Sequence, residues 1–170
     1  MKIDNNILDE LTAKAKSSER LRMNYDLRTT QDDTSQRMLN ALEPGTVVPV
    51  HRHRSTAETV IIIRGKVKEL LFNEEGEITE EILMEVGGDC PVLQIPAGQW
   101  HSIESLETGT VIFEAKDGAF APIGEDHSAT GRNSVDASPS SAHIGFQSSG
   151  GCPYLPVLYF CHGSWCILLL

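Results

Sequence analysis

The first segment of the chain has the periodicity of an amphipathic helix. Apolar side chains within residues 3–16 recur mostly three or four positions apart, at Ile3, Ile7, Leu8, Leu11 and Ala15. This spacing aligns them along one stripe of a helix. Asp4 or Asn5 carries a side chain that can cap the helix start. The sequence therefore predicts a short N-terminal helix with one buried face.

From Met38 onward the pattern changes to short β-type runs. Seven such runs are predicted, at residues 38–42, 46–50, 59–63, 67–72, 78–84, 92–95 and 110–115. Turn residues such as Pro44-Gly45 and Gly87-Gly88 separate them. Residues 73–76 lie between two of these runs and predict a hairpin. Many short strands with regular turn signals are typical of an all-β sandwich or barrel.

The composition shifts after residue 126. Residues 128–170 contain only two charged side chains, Arg132 and Asp136. We therefore divide the chain into a domain of residues 1–126 and a low-charge tail of residues 127–170, to which no function is assigned. The Ser- and Gly-rich segment 128–151 is typical of a flexible linker. The apolar runs 155–160 and 167–170 suit edge strands or an interface.

Length and charge limit the classes of function. A chain of 170 residues can build one domain with a proper core. It carries 14 basic and 24 acidic side chains, a net charge of −10, which argues against nucleic acid or anionic membrane as partners. The polar start lacks a signal-peptide pattern, so we expect a cytoplasmic protein. The four cysteines show no CxxC spacing, which favours reduced thiols.

Four residues of metal-binding type stand in a pattern that strand geometry can bring together. His51 and His53 are two positions apart, so on a strand both rings project from one face. A short turn after His53 would return the Glu58 carboxylate beside them. His101 follows the turn at residues 96–98, on a strand that a barrel could place opposite the pair. We predict that these four residues bind one metal ion.

The spacing of these residues resembles a known family. Gly45, His51, His53, Glu58 and Gly65 match the first motif of the cupins at every position, and residues 96–101 match the centre of the second. Cys90 and Ser105 stand where that second motif has Gly and Asn. The resemblance implies a cupin jelly-roll β-barrel that follows a short N-terminal helix, with the two histidines, the glutamate and His101 as metal ligands.

A narrower resemblance, over residues 1–126, is to the WbuC-type cupin metalloproteins. Residues 20–25 and 36–45, leading into His51-Arg52-His53, carry it. That family is associated with bacterial surface-polysaccharide gene clusters, and the likeness implies a homodimer. The tail from Ser128 has no counterpart in it.

The ligand types restrict the metal but not the function. Three imidazoles and one carboxylate, without thiolate, suit Fe, Mn, Ni, Co or Zn rather than Mg or Ca. Open coordination positions would let a small-molecule ligand bind the ion directly.

One hypothesis for the function is an enzyme, of isomerase, epimerase or oxygenase type, acting on a sugar or sugar nucleotide. The alternative is a non-catalytic binding or sensing domain. Candidate ligand contacts are Gln36, Arg37, Asn40 and Trp100; no catalytic residue is assigned.

Overall fold

The computed structural model describes residues 1–119 and, as backbone only, two strands within the last fourteen residues. The elements in chain order are α1 (Asn5–Ser17), β1 (Arg22–Asp26), β2 (Ser35–Leu42), β3 (Glu58–Arg64), β4 (Lys66–Phe72), β5 (Ile78–Glu85), β6 (Val92–Ile95), β7 (Trp100–Ser105), β8 (Thr110–Asp117), β9 (Val157–Cys161) and β10 (Ser164–Leu168).

Two antiparallel sheets form the body of the domain. The larger has five strands in the order β1-β2-β8-β3-β6, and the smaller has three in the order β5-β4-β7. Their inner faces share one core, to which the larger sheet contributes Val60 and Ile112 and the smaller contributes Val67 and Met84. This confirms the expected fold class, an all-β jelly roll with a short N-terminal helix.

Helix α1 covers the outer face of the larger sheet. Its buried residues Leu8, Leu11 and Ala15 form a second core with Leu39, Ala41 and Val111. Asp4 caps the helix, with Oδ1 accepting from the backbone N–H groups of Asn6 and Ile7 at 3.2 and 3.4 Å. Because strand side chains alternate, Leu39 and Ala41 face the helix while Asn40 and Leu42 face the barrel interior. Strand β2 thus separates two cores.

The predicted strands largely match the observed ones, with three differences. Residues 46–50 are not a strand; Pro49 lacks a backbone donor for a ladder there. Strands β1 and β7 were not among the predicted runs. In β7 the buried Ser102 and Ser105 donate to the carbonyls of Val48 and Leu42, at 2.7 and 2.9 Å. Backbone carbonyls satisfy both hydroxyl groups, so a polar sequence forms a largely buried edge strand.

The hairpin predicted at residues 73–76 is confirmed. It joins β4 and β5, which pair in antiparallel register from Lys66 with Glu85 to Phe72 with Ile78.

The C-terminal unit, Asp136–Leu170, is a separate compact unit in which β9 and β10 pair antiparallel. The proposed linker at residues 128–151 lies outside the described residues. Within the described part of the chain, no helix has the length and apolar character that a membrane crossing demands.

Candidate metal centre

The four residues singled out in the sequence meet at one place in the structure. One donor atom from each of His51, His53, Glu58 and His101 lies within 4.8 Å of the other three. Two ligands bound at 2.0–2.3 Å to one ion are at most about 4.6 Å apart. Donors this close together can reach bonding distance of a single ion through side-chain shifts of less than about 1 Å.

A β-bridge outside the strands places the two ends of the cluster. The N–H of His51 donates to the His101 carbonyl at 3.0 Å, and the N–H of His101 donates back to His51 at 2.9 Å. The two residues of such a reciprocal pair project their side chains to the same face. The N–H of Gly98 donates to the His53 carbonyl at 2.8 Å and holds the second histidine of the loop. The loop needs no regular strand to present both rings.

The imidazole rings are oriented by backbone carbonyls. Nδ1 of His51 lies 2.9 Å from the carbonyl oxygen of Pro49, and Nδ1 of His101 lies 2.9 Å from that of Gln99. A carbonyl oxygen can only accept, so Nδ1 carries the proton and each neutral ring keeps a lone pair at Nε2. Such hydrogen bonds to the second nitrogen are the usual support of histidine metal ligands.

Glu58 supplies the negative charge at the centre of the cluster. It begins β3, and its Oε2 lies 3.1 Å from Nε2 of His53 and 3.3 Å from Nε2 of His101. Burial would raise the pKa of Glu58, but its contacts with these rings and the charge of Lys116 outweigh burial and hold the pKa well below the usual value. The carboxylate is ionised at neutral pH and ready to bind a cation.

The chemistry of the donors fits a bound metal ion. Glu58 Oε2 is buried without a hydrogen-bond partner among residues 1–119. Nε2 of His53 and Nε2 of His101 face this oxygen at 3.1 and 3.3 Å. A cation bound among these donor atoms would pair with the charge of the carboxylate. Three nitrogen donors and one oxygen donor match the preferences of divalent transition metals.

His51 is held in the form that binds metal. Burial, reinforced by the charge of His101, lowers the pKa of His51 to about 4. The ring is therefore neutral across the physiological pH range, and a proton competes weakly with a metal ion for its Nε2.

A cavity of about 650 Å³ adjoins the cluster and extends into the barrel. All four cluster residues contribute to its wall, as do Glu69, Glu114 and Lys116. Nζ of Lys116 donates to Glu58 Oε1 and to Nε2 of His53, each at 3.3 Å. Burial raises the pKa of Glu114 to about 7, and the charge of Glu58 adds to that effect. A ligand at the cluster would meet both a cation and two carboxyl groups.

The structure separates the four candidate ligand contacts into two pairs. Gln36 and Asn40 line the cavity. Arg37 lies between them on β2, so its side chain leaves from the opposite face of the sheet, where it pairs with Asp33 at 3.1 Å. Trp100 Nε1 donates to Glu74 at 3.2 Å and its ring packs under the Arg52 guanidinium. Neither Arg37 nor Trp100 is part of the cavity wall.

Sequence reasoning missed Glu69, Glu114 and Lys116. Each occupies an inward position of its strand, where the period-2 pattern would place an apolar residue. Charged residues also flank Glu69 on the outward side, at Lys66 and Lys68, so no clean alternation marks it. Only the register of the sheets shows that these three groups share one cavity.

Fold and site together define a small jelly-roll barrel with a three-histidine, one-glutamate cluster that could hold a metal ion. A family described as a domain of unknown function, DUF6016, matches residues 3–84. No curated protein matches the chain.

Among solved structures, the chain is similar to KdgF from Halomonas sp., at 16% identity and a TM-score of 0.47, over 60% of this chain and 83% of KdgF. It is also similar to oxalate decarboxylase OxdC from Bacillus subtilis, at 21% identity and a TM-score of 0.49, over 64% of this chain and 28% of that enzyme. The chain thus spans little more than a quarter of the decarboxylase. Another structure of that enzyme is described by its Mn(II) centres.

Proposed function

We propose that His51, His53, Glu58 and His101 bind one divalent transition metal ion, and that the protein is a metal-dependent enzyme acting on a small polar metabolite. The observation that carries this proposal is the convergence of imidazole nitrogens and one ionised carboxylate on a single point at the wall of a cavity. Fe, Mn, Ni, Co and Zn all suit this donor set.

A bound ion would supply Lewis-acid or redox chemistry and an attachment point for an oxygen atom of the ligand. The surrounding residues have separate tasks. Nζ of Lys116 faces the same space as the cluster and offers a positive charge to an anionic ligand. Glu114, with a pKa near neutrality, can exchange a proton with a bound molecule. Gln36 and Asn40 offer amide groups on the cavity wall.

A sugar or sugar nucleotide remains the substrate class that we propose, as expected for a WbuC-type cupin of surface-polysaccharide metabolism. The size of the cavity, about 650 Å³, suits a ligand of that kind. We extend the proposal to a cytoplasmic homodimer.

Metal analysis of protein purified without chelators tests the metal assignment. The full chain should contain close to one equivalent of a transition metal, and the His53→Ala variant should lose most of it. Glu80→Ala, a change of an exposed residue on β5, serves as the control and should keep the metal. Equal metal content in all three proteins would contradict the proposed site.

Incubation of the metal-loaded protein with sugar nucleotides and small acids tests catalysis. We expect one compound of the panel to be converted, with loss of conversion in the His53→Ala variant. Binding of a compound without product would support the non-catalytic binding or sensing domain instead.

A further inference from the structure

Glu69 is a buried carboxyl group in the cavity wall and is not one of the four proposed metal ligands. It lies on β4 between Val67 and Leu71, and only 1% of the residue is exposed to solvent. Its Oε2 has no hydrogen-bond partner in the described part of the chain. The side chain nevertheless contributes to the cavity wall beside the cluster. A buried polar group therefore faces a space that a ligand can enter.

The sheet register places Glu69 one pleat below the cluster. On β4 and β7, Leu71 pairs with His101, and Glu69 pairs with Ile103. Two residues along a strand correspond to about 7 Å. A molecule bound to the cluster at one end and extending along the cavity would meet Glu69 within a few bonds.

Glu69 leaves one buried carboxyl oxygen, Oε2, without a hydrogen-bond partner among residues 1–119. Leaving a buried polar group without a partner costs about 1–3 kcal/mol of stability. Ile82 and Ile103 flank Glu69 on the neighbouring strands, so an apolar residue would suit the position. Burial raises the pKa of Glu69 well above its usual value, and the charges of Glu58 and Glu114 add to this. A group that destabilises the fold and faces a cavity is best explained by a ligand.

We infer that Glu69 is a specificity-determining residue that holds a hydroxyl group of a small hydroxylated carboxylic acid, whose carboxylate binds at the metal cluster beside Lys116. The inference rests on the proposed metal site, and within the small polar metabolites proposed above it narrows the ligand from a sugar or sugar nucleotide to a hydroxylated carboxylic acid. Glu69 Oε2 can accept the hydroxyl hydrogen, and a neutral carboxyl can also donate to the hydroxyl oxygen. The hydroxyl group of an alcohol can make both hydrogen bonds, one as donor and one as acceptor.

The charges around the cavity favour this orientation over the alternatives. A metal ion and Lys116 together attract the carboxylate end and would repel an ammonium group nearby. At the inner end, Glu69 lies between Ile82 and Ile103, where an anionic group would lose its hydration without a cation to pair with. A neutral hydroxyl group is the remaining partner with hydrogen-bonding capacity at the inner end.

The test uses the full chain loaded with Co(II), whose visible absorption reports both metal and ligand binding. Butyrate, 4-hydroxybutyrate and 4-aminobutyrate differ only at the end that would reach Glu69. They are titrated into the unchanged protein, into Glu69→Gln and Glu69→Leu, and into Glu80→Gln as a matched surface control. Circular dichroism verifies folding of each variant.

We expect all four proteins to bind Co(II) equally within about twofold, because Glu69 is not a metal ligand. The unchanged protein and Glu80→Gln should prefer 4-hydroxybutyrate over butyrate by about tenfold, the value of one good hydrogen bond. Glu69→Leu should lose the preference. Glu69→Gln, which keeps the shape and hydrogen-bonding capacity of the side chain, should retain part of it.

The possible failures are distinguishable. Absence of Co(II) binding to the unchanged protein would overturn the proposed metal site and this inference with it. Normal Co(II) binding with a preference that persists in Glu69→Leu would overturn the role of Glu69 alone. Equal binding of butyrate and 4-hydroxybutyrate to the unchanged protein, binding of neither, or tighter binding of 4-aminobutyrate would overturn the ligand class.

Discussion

Acidification should release the metal ion, but His51 should contribute little to that release above pH 5. Protons compete with a metal for the same imidazole lone pairs, so the pKa of each free ligand sets the pH at which competition begins. An ordinary histidine begins to compete near pH 6.5. The pKa of His51 is lowered to about 4 by burial and by the charge of His101. Removing this ligand should therefore weaken binding without changing its pH dependence.

The expected magnitude follows from the two pKa values. With a pKa of 6.5, one histidine would weaken metal binding about 25-fold between pH 7 and pH 5, or about 1.9 kcal/mol. With a pKa of about 4, the same interval changes the contribution of His51 only about 1.1-fold. The His51→Asn variant should bind more weakly at pH 7, yet its loss of affinity between pH 7 and pH 5 should equal that of the unchanged protein within about twofold.

Equilibrium dialysis in a non-coordinating buffer, with metal analysis of both chambers, measures these affinities. Because acid also changes the stability of the metal-free protein, the experiment needs a control for folding. The pKa of His51 is lower in the folded state than in the unfolded state, so the unfolded chain binds more protons below pH 6.5 and the metal-free protein loses stability as the pH falls. Circular dichroism at pH 5 verifies that it stays folded. A pH dependence about 25-fold smaller in His51→Asn than in the unchanged protein would refute the reasoning.

Three further changes have definite expected outcomes. Glu58→Gln removes the anionic ligand and should lower metal affinity at least about tenfold by dialysis, with unchanged affinity contradicting its role. Gly65→Ala places a Cβ 2.3 Å from Thr110 Oγ1, whereas Gly109→Ala at the same φ of +77° meets nothing. In urea unfolding, Gly65→Ala should therefore lower the free energy of unfolding by about 1–3 kcal/mol more than Gly109→Ala does. Equal losses in the two variants would exclude the clash. Truncation after Asp126 should leave the metal content unchanged, since every ligand precedes it; loss of metal would implicate the tail.

Local sequence was sufficient for the elements whose side chains follow a regular period. The apolar stripe of α1, the hairpin between β4 and β5, and strand β6 all agree with the structure within a few residues. The spacing of His51, His53, Glu58 and His101 also predicted that these residues meet, because their positions relative to turns constrain where a barrel can place them. Period and turn chemistry are local properties, so one chain is enough to read them.

Tertiary structure decided the features that depend on partners distant in the chain. Strand β7 is polar in sequence and is largely buried because Ser102 and Ser105 donate hydrogen bonds to backbone carbonyls of residues distant in the chain. The loop at residues 46–57 presents His51 through a single bridge to His101 rather than through a strand. In the sequence, Glu69 and Glu114 cannot be distinguished from other glutamates of strands. The register of the sheets shows that both line one cavity. The hydrogen-bond partners and the burial of a side chain depend on residues that are close in space. Local sequence does not show which residues those are.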